Sequence, residues 1–261
     1  RQGQRLGTYY LESGAAMRAS KVVYDRAASS ISEIKPGDVD WAKVFDGADW
    51  FHFTGITPAI SKNAGEVCIE AAKAAKELGI TVSADMNYRK NLWTPEEAQA
   101  TMIPMMKYVD VSIGNEEDAE KCLGVAAEGV DVTVGEIDPE AYRPVVQELV
   151  DRFGFKKVAI TLRESFSADD NGWSAIYFDS DEILVGNKYP VRIVDRVGGG
   201  DSFCAAMIYG LNQDGWDSRQ VLDFAVASSA MSHTFHGDFN LVSVKEVMAV
   251  AGGDTSGRVQ R

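Results

Sequence analysis

One stretch decides the fold, and it reads Asp195-Arg196-Val197-Gly198-Gly199-Gly200-Asp201-Ser202-Phe203. Residues 190–194 before it have the β-branched composition of an extended segment. After it, small and apolar residues recur at helical spacing. The three glycines therefore mark the point at which extended chain passes into a helix N-terminus. Free backbone N–H groups and the helix dipole make such a turn a binding site for an anion.

Asp201 places a negative charge on this same turn, so its role is not to bind the anion. It is suited to act as a base that takes a proton from a hydroxyl, while the glycine amides hold the phosphoryl group under attack. A tight turn without chemistry is the alternative at this point. A P-loop is excluded because no Lys-Ser/Thr pair follows the glycines, and Phe203 stands where a dinucleotide-binding loop has its third glycine.

The composition is that of an ordinary globular protein: 261 residues, 45% hydrophobic and 25% charged, with length for one large domain. No apolar run of about 18 residues occurs, which predicts no membrane span. The net charge of −13 disfavours nucleic acid and anionic membranes as partners. An anionic substrate would therefore need locally placed cations. Three scattered cysteines favour buried reduced thiols and a cytoplasmic protein.

The chain divides into three predicted parts: a β-hairpin in 1–30, an α/β domain in 31–251 and a flexible tail in 252–261. The hairpin pairs the aromatic and β-branched runs 7–11 and 21–24. Further strands are predicted at 50–54, 80–86, 109–113, 157–162, 173–178 and 183–185. Helices are predicted at 60–78, 95–108, 116–123, 139–153, 219–235 and 244–250, with a polar loop at 125–137. This alternation predicts a three-layer, doubly wound and mostly parallel sheet, with ligands bound beyond the carboxyl ends of its strands.

The stretch from Asp195 to Asp201 resembles the signature of the ribokinase-like (PfkB) carbohydrate kinases, usually Asp-Thr-x-Gly-Ala-Gly-Asp. Arg196 and Gly199 depart from that pattern. The resemblance implies a ribokinase-like fold with a small β lid, and ATP with Mg²⁺ as the phosphoryl donor. Asp201 is then the catalytic base. The implied anion hole consists of Gly198, Gly199 and Gly200, of which Gly198 and Gly200 also contact the nucleotide.

A second stretch, Asp85-Met86-Asn87-Tyr88-Arg89-Lys90-Asn91-Leu92-Trp93, resembles the 2-keto-3-deoxygluconate kinases of that family. An arginine after a strand can hold a carboxylate through two parallel N–H bonds. The resemblance implies that Arg89 meets the carboxylate end of a sugar acid. From periodicity alone, a solvated loop is the alternative.

The lid of those kinases carries a Tyr-x-Arg that also touches the sugar acid, and Tyr24 and Arg26 match it by position. Tyr10 on the first hairpin strand is expected to face the same ligand. Simple packing of the tyrosines and a surface role for Arg26 are the alternatives. Ile56, within a Gly-Ile-x-Pro-Ala segment, and Asp238, after a helix, are expected beside the sugar by the same resemblance.

Residues at two further strand ends match segments that bind the nucleotide and its phosphates in the family. Asn115, Glu116 and Asp118 stand in a family pattern Asn-x-x-Glu that is tied to magnesium and phosphate, with Asp118 at the position of the glutamate. An acidic helix cap is the alternative for these carboxylates. Thr161 and Arg163 correspond to a nucleotide-side loop of the family.

The resemblance thus implies a kinase that phosphorylates the terminal hydroxyl of 2-keto-3-deoxygluconate. Another sugar kinase of the family, such as a fructokinase, and a non-catalytic sugar or nucleotide sensor are the alternatives. The expected partners are a sugar acid, ATP and a second subunit joined through the lid, whose strands have exposed edges. A first strand and a Gly-Gly segment are expected before Arg1 in the parent protein.

Overall fold

The structure is a computed structural model that describes residues 3–115, 117–126, 139–180 and 182–258. The chain folds into two compact units. The first unit comprises Arg1–Glu12, Lys21–Val132 and Glu140–Ile160; the second comprises Ser13–Ser20, Thr133–Pro139 and Thr161–Arg261. Most of the predicted polar loop 125–137 lies outside the described residues.

The first unit contains a small antiparallel sheet and a parallel one. Strands β1 (Thr8–Glu12) and β2 (Lys21–Asp25) form the predicted hairpin. Strands β3 (Trp50–Thr54), β4 (Thr81–Asp85) and β5 (Val111–Asn115) pair in parallel and in this order, and β6 (Lys157–Ser165) continues the order. The helices of this unit are α1 (Trp41–Val44), α2 (Ile56–Ile60), α3 (Lys62–Glu77), α4 (Pro95–Met106), α5 (Asp118–Leu123) and α6 (Arg143–Phe153).

The second unit contains the end of β6 and a meander. Strands β8 (Glu182–Val185) and β9 (Tyr189–Arg192) both pair antiparallel with β7 (Asp170–Asp179). The helices are α7 (Gly199–Leu211), α8 (Ser218–Ser232) and α9 (Val244–Ala251). The predicted α/β class, a mostly parallel sheet with helices beside a small antiparallel sheet, is confirmed.

Burial of one helix face explains how α3 packs. Four alanines at its core positions are almost fully buried: Ala64, Ala71, Ala72 and Ala75. Such small side chains let a helix lie close to its neighbours. The single helix predicted at 60–78 is wrong, because Ser61 interrupts it and caps α3 by accepting a hydrogen bond from the Ala64 N–H. Leu78, the last residue of that predicted helix, follows α3 and is 55% exposed.

The three cysteines are free and buried, as predicted, and burial raises the pKa of Cys68 to about 12. Across the described ranges, every helix is too short or too polar to cross a membrane. The chain from Gly252 to Arg258 is exposed and forms no strand or helix. Flexibility of the tail 252–261 stays a prediction.

An acidic side chain at the start of β5 joins three parts of the first unit. The Asp110 carboxylate accepts hydrogen bonds from Lys76 Nζ at 2.8 Å and from the Val82 N–H at 3.0 Å, and Lys156 Nζ lies 3.0 Å away. Burial alone would raise the pKa of Asp110, but these donors outweigh it and lower the pKa below its usual range. A carboxyl with a lowered pKa stabilises the fold above its unfolded pKa, and this stabilisation is lost as the pH falls through the folded pKa.

We expect Asp110→Asn to lower the free energy of unfolding by about 2 kcal/mol at pH 7, because two lysines and an N–H lose a charged acceptor. Urea unfolding measures the change, with Asp46→Asn, an exposed residue, as the matched control. The difference from the unmodified protein should shrink as the pH falls from about 4, the pKa of an unfolded aspartate, through the lower folded pKa of Asp110. Equal stability of the two proteins at pH 7 would show that the lysines do not depend on this carboxylate.

Candidate active site

The glycine-rich turn of the second unit is shaped by close contacts at two of its glycines. Gly198 caps α7 with φ +80°, and a Cβ there would lie 2.3 Å from the Asp238 carbonyl oxygen. A Cβ on Gly199 would lie 2.5 Å from His233 Nε2. Gly200 differs, since a Cβ there would meet no described residue outside its own helix within 4 Å. The protein itself therefore requires the first two glycines, whereas the third leaves open space above the helix start.

The turn is held in place by Asp195. Its carboxylate accepts hydrogen bonds from the Val197 N–H at 3.1 Å and the Gly237 N–H at 3.2 Å. Ser229 Oγ donates to the Gly199 carbonyl at 2.7 Å. Asp195, the first aspartate of the motif, therefore has a structural role. Asp201, the second aspartate, does not take part in these hydrogen bonds.

Asp201 lies in the first turn of α7 with an exposed side chain. The first helical hydrogen bond runs from the Ser202 N–H to the Gly198 carbonyl at 2.7 Å, so the N–H groups of 199–201 precede the helical ladder. No hydrogen bond or ion pair within the described part of the chain engages the Asp201 carboxylate. An anion-binding turn and an available carboxylate therefore occur on one helical turn.

Buried groups surround this turn. His233 Nδ1 lies 2.7 Å from the Ser229 carbonyl and therefore carries the proton, and the ring lies 4.5 Å from that of Trp173. Burial, followed by the positive charges of Arg196 and Arg163, lowers the pKa of His233. Arg196, at the position of the family threonine, donates to the Ala168 carbonyl at 2.6 Å. Burial, and then the charge of Arg163, lowers the pKa of Arg196.

Thr161 and Arg163, predicted at a strand end, lie within β6, which extends beyond its predicted end to Ser165. Thr161 is buried, and Arg163 Nε is a buried donor without a hydrogen-bond acceptor among the described residues. Asp238 contributes its backbone to the contact with Gly198, and its side chain is exposed.

A cavity of about 370 Å³ opens in the first unit, at the carboxyl end of β4 and beside the hairpin. Its lining carries three cations, Arg26, Arg89 and Lys90, and one acid, Glu117. The other lining residues are Val22, Tyr24, Tyr88, Asn91 and Leu92. None of the three cations forms an ion pair with a described residue. In a chain of net charge −13, this concentration of unpaired positive charge favours an anionic ligand.

The hairpin turns one of its two faces toward this cavity. Tyr9 pairs with Tyr24 in the register, and their rings lie 6.4 Å apart, whereas Tyr10 pairs with Val23. Paired residues share a face and neighbouring residues alternate. Tyr10 therefore lies on the opposite face of the hairpin from Tyr24 and is 65% exposed, and its contact with the same ligand stays a prediction.

Arg26 and Arg89 are each positioned by one local contact. The Arg26 guanidinium lies 4.4 Å from the centroid of the Tyr24 ring, a cation–π geometry. Arg89 Nη1 donates to the Tyr88 carbonyl at 2.8 Å. The remaining guanidinium donors of Arg89 have no acceptor among the described residues. Both predicted arginines are thus brought to one cavity, together with Lys90, which the sequence analysis missed.

The loop after β4 is braced by Asn87, which the sequence analysis did not assign. Asn87 has φ +41°, and its amide donates to Thr54 Oγ1 at 3.1 Å and Asp85 Oδ2 at 3.0 Å. Asparagine tolerates this left-handed backbone better than most residues. The sequence feature that could have identified Asn87 is its position two residues before Arg89. Ile56 begins α2 and is half-buried, but it is not part of the cavity lining.

The end of β5 forms a compact cap. Asn115 Oδ1 accepts hydrogen bonds from the N–H groups of Glu117 at 2.8 Å and Asp118 at 3.1 Å. Asp118 is 2% exposed, and its carboxylate accepts from the N–H groups of Tyr88 at 2.9 Å and Asn115 at 2.8 Å. Burial raises the pKa of Asp118 to about 6, although these N–H groups act in the opposite direction. Glu116 lies outside the described residues.

Three relatives resemble the whole chain. A 2-dehydro-3-deoxygalactonokinase of Haloferax volcanii is 31% identical over 253 residues, which cover 97% of this chain and 72% of that protein. A 2-dehydro-3-deoxygluconokinase of Thermoproteus tenax is 31% identical over 245 residues, 90% of this chain and 65% of that protein. The crystal structure of a 2-dehydro-3-deoxygluconokinase from Thermotoga maritima matches with a TM-score of 0.91 and 51% identity, over 96% of this chain and 75% of that one.

The chain spans about two thirds to three quarters of the length of these relatives. Residues 1–243 match the model of the pfkB family carbohydrate kinases. Together with the glycine-rich turn, the available Asp201 and the α/β fold, this match shows that the chain belongs to the PfkB family of carbohydrate kinases.

Proposed function

We propose that this protein transfers the γ-phosphoryl group of ATP to the terminal hydroxyl of 2-keto-3-deoxygluconate. The observation that supports the substrate is the cavity with three unpaired cations, Arg26, Arg89 and Lys90. A neutral sugar has no use for such a lining, whereas a sugar acid carries the matching carboxylate. The cavity volume of about 370 Å³ falls in the range of small-molecule sites.

Each cavity group has a proposed contact. Arg89 holds the substrate carboxylate through two parallel N–H bonds, since its guanidinium donors other than the one to Tyr88 have no described acceptor. Arg26, stacked on Tyr24, adds a second positive charge. Tyr24 packs against the sugar and offers its hydroxyl. These contacts fix which end of the substrate is held, and therefore which hydroxyl remains to react.

The proposed chemistry takes place at the first turn of α7. Asp201 accepts the proton of the substrate hydroxyl as its oxygen attacks the γ-phosphorus and the bond to the β–γ bridging oxygen breaks. ADP leaves with the electron pair of that bond, and the proton remains on the aspartic acid. The N–H groups of 199–201 stabilise the negative charge on the transferring group.

Magnesium, when bound with the nucleotide, would offset the charge of its phosphates. The described residues contain no group of three His, Cys, Asp or Glu side chains suited to hold a metal ion. Asp118 does not fit the role of ligand, because both of its oxygens accept backbone N–H groups and the residue is buried. No step is therefore assigned to a protein-bound metal.

A coupled assay of ADP release by the full-length protein tests the proposal. It compares 2-keto-3-deoxygluconate with its galactonate epimer, fructose, ribose and a blank without sugar, all with ATP and Mg²⁺. Turnover on a 2-keto-3-deoxy sugar acid alone supports the proposal, and the two epimers decide which acid is preferred. A preference for fructose would assign a different substrate, and no turnover with any sugar would favour a sensor.

Gly200→Ala is a test of the anion hole that leaves the fold intact. A Cβ at Gly200 meets no described residue outside its own helix within 4 Å, and alanine favours a helix over glycine by about 0.5–1 kcal/mol. We therefore expect an unchanged or slightly higher melting temperature, with kcat lowered about tenfold or more because the methyl group occupies the space of the phosphoryl group. Gly198→Ala, with φ +80°, is the contrasting variant and should lose stability. Full activity of Gly200→Ala would show that this space is not used.

A further inference from the structure

The carboxylate of Asp118 connects two strand ends of the first unit. One oxygen accepts the N–H of Tyr88, in the loop after β4, at 2.9 Å. The other accepts the N–H of Asn115, the last residue of β5, at 2.8 Å. A single buried side chain thus satisfies two backbone donors that are separated by 27 positions in the sequence.

We propose that Asp118 is a positioning residue for the sugar-acid cavity and not a magnesium ligand. This inference rests on the proposed function, because it assigns the residue to the binding of the same sugar acid. Tyr88 links the two: its N–H donates to Asp118, its carbonyl accepts from Arg89 at 2.8 Å and its hydroxyl donates to the Trp93 carbonyl at 3.1 Å. Asp118 therefore sets where Tyr88, and through it the Arg89 guanidinium, lies.

The length of the side chain agrees with this role. A Cβ on Gly114 would lie 3.1 Å from Asp118 Cβ and 3.3 Å from its Oδ2, so Asp118 packs directly against the backbone of β5. From there an aspartate reaches both N–H groups. The glutamate of the related pattern would place its carboxylate farther from that backbone. The aspartate thus suits a link between two backbone segments.

The decisive measurement is binding of 2-keto-3-deoxygluconate by calorimetry, without nucleotide and without Mg²⁺. Asp118→Asn replaces one acceptor oxygen with an NH₂ group that faces a backbone N–H, so one link is lost. We expect the Kd and the KM for the sugar acid to rise about tenfold or more. At saturating sugar acid, kcat and the Mg²⁺ concentration for half-maximal activity should change little. Glu120→Gln, an exposed acid of the same helix α5, is the matched control and should bind normally.

A second variant covers the case in which Asp118→Asn does not fold. Gly114→Ala keeps the carboxylate but displaces it by a few tenths of an ångström, and should raise KM in the same direction by a smaller factor. A rise in the Mg²⁺ requirement with unchanged sugar-acid binding would overturn the inference in favour of a metal role. If the unmodified protein itself fails to bind the sugar acid, the proposed function fails. If it binds and both variants bind equally well, only the positioning role fails.

Discussion

Asp201→Asn is expected to lower kcat by about 10²- to 10⁴-fold, because the hydroxyl then loses the group that accepts its proton. Asparagine has nearly the same shape, and the Asp201 carboxylate is exposed without a partner in the described ranges. Stability should therefore be unchanged. Binding of the sugar acid should also persist, because the proposed cavity contacts involve other residues. The measurement is kcat from ADP release, with sugar-acid binding by calorimetry alongside it.

The control for Asp201→Asn is Asp214→Asn, an exposed aspartate just after the end of α7. It removes the same charge from the opposite end of this helix without touching the glycine-rich turn. Both variants should melt like the unmodified protein. If Asp201→Asn retained full turnover, Asp201 could not be the base. If both variants lost activity equally, the loss would reflect the net charge of the protein and not this residue.

Arg89→Leu is expected to raise the KM for 2-keto-3-deoxygluconate by about 10²-fold or more, since two hydrogen bonds to a charged group disappear. The effect on kcat at saturation should be smaller, because the carboxylate is remote from the reacting hydroxyl. Arg89 makes one described hydrogen bond to its own neighbour, Tyr88, so the fold should tolerate the change. Steady-state kinetics over a wide range of sugar-acid concentrations measure it.

Two further variants decide how Arg89 acts. Arg89→Lys keeps the charge but not the parallel N–H pair, and should recover part of the lost affinity. Arg152→Leu removes an exposed arginine of α6 and should leave KM unchanged. Activity on a neutral ketose, where present, should not fall in Arg89→Leu. An equal loss on sugar acid and ketose would mean that Arg89 supports the loop and not the carboxylate.

Local patterns were sufficient for much of the fold. The alternation of apolar runs and glycine stops predicted β3 at its observed bounds and most other elements to within a few residues. The turn at 198–200 and the position of Asp201 at the helix start follow from glycine and N-terminal chemistry within one short segment. Arg89 after β4 is likewise a local feature, because a strand end and the residues following it are adjacent in sequence.

What the sequence by itself determined is therefore the α/β class and the glycine turn with its available aspartate, because each depends on neighbours in the chain. The resemblance to known kinases indicated two of the cavity cations, Arg26 and Arg89. Tertiary structure alone decided the hairpin register, in which a shift of one residue exchanges the faces of Tyr9 and Tyr10. It also decided that Asp118 joins Tyr88 to Asn115, and that Lys76 and Lys156 meet at Asp110. These contacts join residues far apart in the chain, and their formation depends on how the helices and strands pack, which composition and periodicity do not specify.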